Sequence, residues 1–236
     1  MKIHACTLAL ALTAAGCGDT GQGRIELPLH ARGVAGEPFE VDGFEVTLHI
    51  ARVGIGPIYA CASARSSSDL CPTAVAEFAS SASVDALDPS LQRLGTLDAL
   101  TASARSMGLD YAITWPTSAA GAVILKDAPG GHSAEFDGHA ERADRAFDFH
   151  AALDIAPTLR GTRVIQGLAT RAALAAGLEC ELDVDPIAWW SQVDFEALAA
   201  LPGDAIDVAA DSMTAETLRA AMTSNATPVF SWRRRE

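Results

Sequence analysis

The sequence predicts a mainly β protein, an antiparallel β-sandwich-like domain with two short helical insertions. Three observations predict it. "FEVTLHI" alternates strictly, with Phe44, Val46, Leu48 and Ile50 to one side and Glu45, Thr47 and His49 to the other, the period of a half-buried strand. Short apolar runs recur between Gly, Pro and Asp turn signals along most of the chain. Only two stretches carry a clear helix pattern, both in the C-terminal part.

At the N-terminus, Lys2 precedes an apolar run from Ala5 to Ala15, too short to span a bilayer as a mature helix. Small residues then lead into Cys17 in "TAAGC". Residues 1–17 resemble a bacterial lipoprotein signal with its lipobox, with Ala14 where leucine is usual. The resemblance implies cleavage before Cys17, a lipid on that cysteine, and a place in the bacterial cell envelope, on the periplasmic or outer face. An ordinary secretory peptide with a free Cys17 thiol is the alternative. Residues 17–38 read as the lipidated cysteine and a flexible tether that begins "GDTGQG". Residues 39–236 read as a single β-rich domain.

After the first alternating strand, "GIGP" breaks or bulges it. "CPTAVAEFAS" reads as one short helix with Pro72 near its start. Val84 to Met107 is rich in Ala, Ser and Leu and weakly patterned, so it reads as loop, with a short helix around Leu97–Arg105. "LDYAITW" alternates through Tyr111, Ile113 and Trp115, and "GAVILKDA" reads as another strand. "SAEFDGHAERADRAFDFHAALDI", Ser133 to Ile155, reads as a hairpin, and "RGTRVIQGLAT" and "GLECELDV" add two strands. "DPIAWWSQVDFEALAALPG" reads as one helix with Asp185 as N-cap and Pro186 at its first position. Its expected core stripe is Ile187, Trp190, Val193 or Asp194, Leu198 and Leu201. A second helix, "TAETLRAAMTS", is expected to be capped by Thr214, and "TPVFSW" closes as a strand.

The formal net charge is −13, and −14 once Lys2 leaves with the leader. Such acidity argues against nucleic acid and against binding an anionic membrane through the protein surface. The terminal "RRRE" is a small basic exception, expected to fray. Cys61 and Cys71 flank a polar loop in an exported chain and are expected to pair, a closure that contributes about 3 kcal/mol in the loop-entropy model. Cys180 alternates with acids in "LECELDV" and is expected free, in the core. The chain contains no GxSxG, HExxH or Gly-rich phosphate loop, so no enzyme is expected.

The hairpin carries the candidate site. A turn centred on Ala143 and Asp144 sets His139 opposite Asp148, and Asp137 opposite His150. Two imidazoles and two carboxylates would then share one sheet face, with Phe136, Ala140, Phe147, Phe149, Leu153 and Ile155 on the other. Imidazole with carboxylate suits a divalent transition metal, and one carboxylate in place could orient a ligating imidazole. Cross-strand His–Asp pairs also stabilise a sheet without metal, and a one-residue shift of the turn would dissolve the arrangement. His132 approaches along "APGGH", by parity on the Phe136 face unless the glycines bend the chain; His49 and His30 read as surface residues.

The order of "LDYAITWP", the hairpin, "LDVDPIAWWSQVDF" and "SNATPVFSW" resembles the MbnP-like copper-binding periplasmic proteins over roughly residues 39–232. The matching points are Trp115, "FDG" at Phe136–Gly138, "FDFHAAL" with His150, and Asn225 and Phe230. The resemblance implies copper, with His150 as first ligand and His132 as second, and Trp115 as a tryptophan oxidised by a periplasmic partner protein. The early "GIGPIYAC" and the Cys61–Cys71 loop depart from the family pattern. Two functions follow: a lipid-anchored extracytoplasmic protein that binds copper or another divalent metal, or a metal-free β-sandwich lipoprotein serving as an interaction or assembly module.

Replacing Cys17 with serine is expected to abolish membrane retention. Fractionation of cells carrying wild type or C17S reads this directly; a mutant that stays with the membranes rules out a lipid on Cys17.

Overall fold

The computed structural model describes residues 21–64, 71 and 74–234. The leader, Cys17 and Pro72 lie outside the described residues. The chain forms a mostly β sandwich with three short helices. The strands are β1 (Arg24–Arg32), β2 (Phe39–Val41), β3 (Phe44–Ile55), β4 (Ile58–Cys61), β5 (Ala74–Phe78), β6 (Ala82–Asp85), β7 (Gln92–Leu100) and β8 (Ser103–Leu109). They continue as β9 (Ile113–Thr114), β10 (Val123–Ile124), β11 (Ala134–Arg142), β12 (Arg145–Leu153), β13 (Ile165–Ala173), β14 (Leu178–Asp183), β15 (Ala205–Val208) and β16 (Val229–Arg234). The helices are α1 (Pro186–Trp190), α2 (Phe195–Ala199) and α3 (Met213–Ala220), the last running into a π-turn at Ala221–Asn225.

One large sheet has the order β13-β8-β4-β5-β7-β1-β14-β16, the second β15-β12-β11-β3-β2 with β6 also on β3, and β9 pairs with β10 apart from both. Pairing is mostly antiparallel, but β1–β14 and β12–β15 run parallel. Gly56 takes the chain from β3 in one sheet to β4 in the other. Its φ is +116°, and a Cβ there would lie 2.3 Å from the Ser80 carbonyl oxygen, so only glycine fits.

Several expectations change. The domain begins before residue 39: β1 lies inside the larger sheet, between β7 and β14, with Leu27, Leu29 and Ala31 fully buried. Pro28 disguises it, since a proline argues against an interior strand; here the parallel pairing with β14 starts only at Leu29. The stretch after Cys71 is strand β5, not a helix, because it is paired between β4 and β7. The Ala/Ser-rich segment is not loop with a helix but holds the end of β6, all of β7 and most of β8. A bulge hides β7: Leu29 faces Gly95 and His30 faces Arg93, so Leu94 is extra and the burial phase changes there. Leu94, Leu97 and Ala99 are all buried as a result.

"LDYAITW" is only partly strand. Asp110 to Thr114 are all buried, Ala112 has φ +53°, and β9 keeps two residues. The expected strand in "GAVILKDA" shortens to the exposed pair Val123–Ile124. The long C-terminal helix breaks in two. Asp185 caps α1, accepting from the Ala188 amide at 3.0 Å, and Asp194 starts α2 by accepting from Ala197 at 2.9 Å. The buried set is therefore Trp189, Trp190, Val193, Phe195 and Leu198, while Leu201 is exposed. Ser212, not Thr214, caps α3.

Cys61 and Cys71 form the expected disulfide, and Cys180 is a free, fully buried thiol whose pKa burial pushes up. Arg233 is not frayed: it reaches the buried Glu181 at 3.1 Å, alongside Arg32 at 2.9 Å. At the other end of β1, Gly23 and Thr101 exchange hydrogen bonds, the Gly23 amide to the Thr101 hydroxyl and the Thr101 amide to the Gly23 carbonyl.

A buried ion pair fastens the loop before β13 to the end of β8. Arg163 donates to Asp110 at 2.5 Å and to Thr114 at 2.7 Å, and the Val164 amide donates to Asp110 at 2.8 Å. The side chains of Asp110 and Arg163 are 0% and 8% exposed. Burial raises the Asp110 pKa against the pull of the guanidinium. Its ionisation thus opposes folding; its contribution is greatest at low pH and is lost as pH rises through the folded-state pKa. Removing one partner of such a pair leaves the other uncompensated. Asp110→Ala is expected to lose about 3–5 kcal/mol at pH 7, and Asp110→Leu with Arg163→Met to recover most of it. Urea unfolding decides; a single mutant as stable as wild type denies the pair this role.

Candidate metal centre on the hairpin face

The hairpin has the register the sequence predicts. Across β11 and β12, His139 faces Asp148 and Asp137 faces His150. Phe136, Ala140, Phe147, Phe149 and Leu153 are buried behind them, and Ile155 is buried just past the strand. His150 Nδ1 lies 2.6 Å from Asp137 Oδ1, and His139 Nδ1 lies 2.7 Å from Asp148 Oδ1. Each carboxylate thus takes one ring nitrogen and leaves Nε2 of His150 turned elsewhere; Nε2 of His139 is 4.0 Å from Glu141.

His132 does not join them. It leaves a turn at Pro129–Gly131 and its Nδ1 contacts Asp154 at 2.9 Å. Asp154 is four residues along the chain from His150, roughly 13 Å of extended strand. The pair that the family resemblance singles out, His150 with His132, is therefore not brought together. Trp115 is half-buried, and its indole donates to the Ala119 carbonyl at 3.3 Å.

Two residues enter that the sequence reading set aside or passed over. A hollow of about 300 Å³ on the outer sheet face is lined by His49, Asp137, Asp148, His150 and Asp207, with Gly138, Phe149, Ala205 and Ile206 completing it. His49 is exposed, as expected, but stands beside the hairpin because β3 pairs with β11. Ile50 faces Asp137 and Leu48 faces Gly138, so His49 is the extra residue of a bulge. Bulges of this kind re-aim a side chain. The bulge also explains why Ile50 is only half-buried while Ala51 and Val53 take the core positions. Asp207 lies on β15, in register with His150. The alternation in "AIDV" was visible, with Ile206 and Val208 inward; its parallel partner was not.

The donor set, imidazole with carboxylate, suits a divalent transition metal. The present placement spends these groups on one another: among the described residues, no group of three or more His, Cys, Asp or Glu side chains is set to hold an ion. The side chains of Asp137, Asp148 and His150 are 36%, 72% and 42% exposed, so rotation into the hollow meets little packing. Comparison with protein-family models, curated proteins and solved structures finds no match.

Gly138 sits under the hollow. A Cβ there would lie 2.3 Å from Phe149 Cζ and 2.7 Å from the Thr47 carbonyl oxygen. Gly138→Ala is expected to lose about 1–3 kcal/mol by overpacking. A calorimetric melt measures it, and an unchanged melting temperature shows that the Phe149 ring moves freely.

Proposed function

We propose that this chain is a lipid-anchored, extracytoplasmic, non-enzymatic protein that binds a divalent transition metal, copper first, at the imidazole–carboxylate face of the β11–β12 hairpin. The observation that carries the reading is the hollow lined by His49, Asp137, Asp148, His150 and Asp207. Support comes from the Asp137–His150 contact, since a carboxylate on one ring nitrogen orients the other for a metal. The acidic surface favours cations in general. The likeness of the chain order to the MbnP-like proteins favours copper, while their His150–His132 pairing does not carry over. Copper(II) would supply a borderline, imidazole-seeking Lewis acid; the chain's own part is to present His150 and keep Asp137 against it.

A second reading, a metal-free interaction or assembly module on the same anchor, is favoured by one observation. Both hairpin histidines, His139 and His150, already have an aspartate partner, as does the neighbouring His132. In that reading the face is a solvated patch of cross-strand pairs.

Copper(II) titration of protein purified without chelators, at pH 7.5, separates the two. His150→Ala is expected to weaken binding roughly tenfold or more, and His132→Ala to leave it unchanged. Affinity is expected to fall as pH is lowered, because protons compete for the imidazoles. Absence of binding above background, or equal affinity in all variants, leaves the interaction module as the function.

A further inference from the structure

The end of β8 remote from Gly23 leads into an apolar patch that neither large sheet absorbs. β8 runs from the Thr101 end, where Gly23 is pinned, to Asp110, and the chain then forms the separate β9–β10 pair. From Tyr111 to Leu125 no residue is charged. Thr117, Ser118 and residues 120–124 are exposed. Val123 and Ile124 are 42% and 55% exposed, and Leu159 is 60% exposed. These residues gather around Trp115. Thr114 is in register with Val123, and Trp115 follows Thr114 along the same edge. On its other side Gly161, two residues from Leu159, donates its amide to the Trp115 carbonyl at 2.7 Å.

The rim of this patch is basic, although the chain is acidic. Lys126 follows Leu125 and Arg160 follows Leu159, and both are exposed. Among the described residues neither makes an ion pair, and Asp127, beside Lys126, accepts from the Ser81 hydroxyl at 3.3 Å. Aliphatic side chains, an indole and free cations are the set that a bilayer surface accepts. Aliphatic groups enter the acyl boundary, the indole lies at headgroup level, and the cations reach the phosphates. A protein partner fits less well. Three aliphatic side chains and part of an indole fall far short of the roughly 800 Å² that each side of a standard protein interface buries.

We propose that the β9–β10 tip and the Leu159 loop dip into a phospholipid surface, with Val123, Ile124 and Leu159 inserted and Lys126 and Arg160 on the lipid phosphates. The net charge of −13 repels an anionic surface from the rest of the chain, which confines contact to this patch. The insertion needs neither a metal nor a lipid on Cys17. With that lipid also in place, the two attachments sit at opposite ends of β8, about 23 Å of strand apart, so the domain lies along the leaflet instead of standing on it.

Hydrogen–deuterium exchange of the full chain, with and without vesicles of equimolar phosphatidylcholine and phosphatidylglycerol, tests this. Exchange in a peptide spanning Thr117–Leu125 is expected to slow several-fold on the vesicles. Ile124→Ser with Leu159→Ser is expected to remove that protection; both side chains are exposed, so the core is untouched. Lys126→Gln with Arg160→Gln is expected to raise the lipid needed for half-maximal protection roughly tenfold. Leu201→Ser, at an exposed leucine beside the β11–β12 turn, is expected to leave the protection intact. A tip that exchanges equally fast with and without vesicles overturns the proposal and leaves the patch to a protein partner. Protection that survives Ile124→Ser with Leu159→Ser overturns it as well, because the contact is then not made by the apolar residues.

Discussion

The smaller sheet is organised by its need to bury aromatic rings. Phe136, Phe147 and Phe149 point inward from the hairpin and meet Trp189, Trp190 and Phe195 from the two short helices, with Phe44 beside them. The Phe149 and Trp190 ring centroids are 4.5 Å apart. A slip of one residue in β11–β12 would turn all three phenylalanines to solvent. The register is therefore fixed from inside, and the row of histidines and aspartates on the outer face is its complement. What happens chemically outside depends on what must be dry inside.

The same constraint explains which parts of the fold were legible in the sequence. The hairpin was readable because bulky phenylalanines alternate with charged residues around a polar turn. β14 and β16 were readable for similar reasons. β7 was not, because Leu94 and Gly95 shift the phase of burial and its inward residues include small ones. The single long helix was misread because Asp194, taken as part of a stripe, is a second N-cap. Of the site, the two His–Asp oppositions followed from local pairing alone. His49 and Asp207 needed knowledge of which strands flank the hairpin, and β12–β15 is a parallel contact between distant segments. No local pattern encodes that.

Charge is used in two different ways. Asp110 with Arg163 is a buried pair, and the buried Glu181 is met by the more exposed Arg32 and Arg233; both join segments far apart in the chain. A buried pair contributes little net stability, yet neither Asp110 nor Arg163 can be removed alone without leaving an unpaired charge. The hairpin pairs are open to water, where each contact is worth little and can be exchanged for another partner. A surface that trades partners at low cost is the kind on which a ligand can compete.

The hydrogen-bonded pinning of Gly23 to Thr101 sets a leash length. Gly23 is six chain steps from Cys17, a reach of at most about 20 Å when fully extended. With the lipid on Cys17 as proposed, the β7–β8 turn stays within that height of the headgroups. Under that proposal the sandwich would stay in a thin layer above one leaflet. An ion or partner would then have to come to the membrane to meet it.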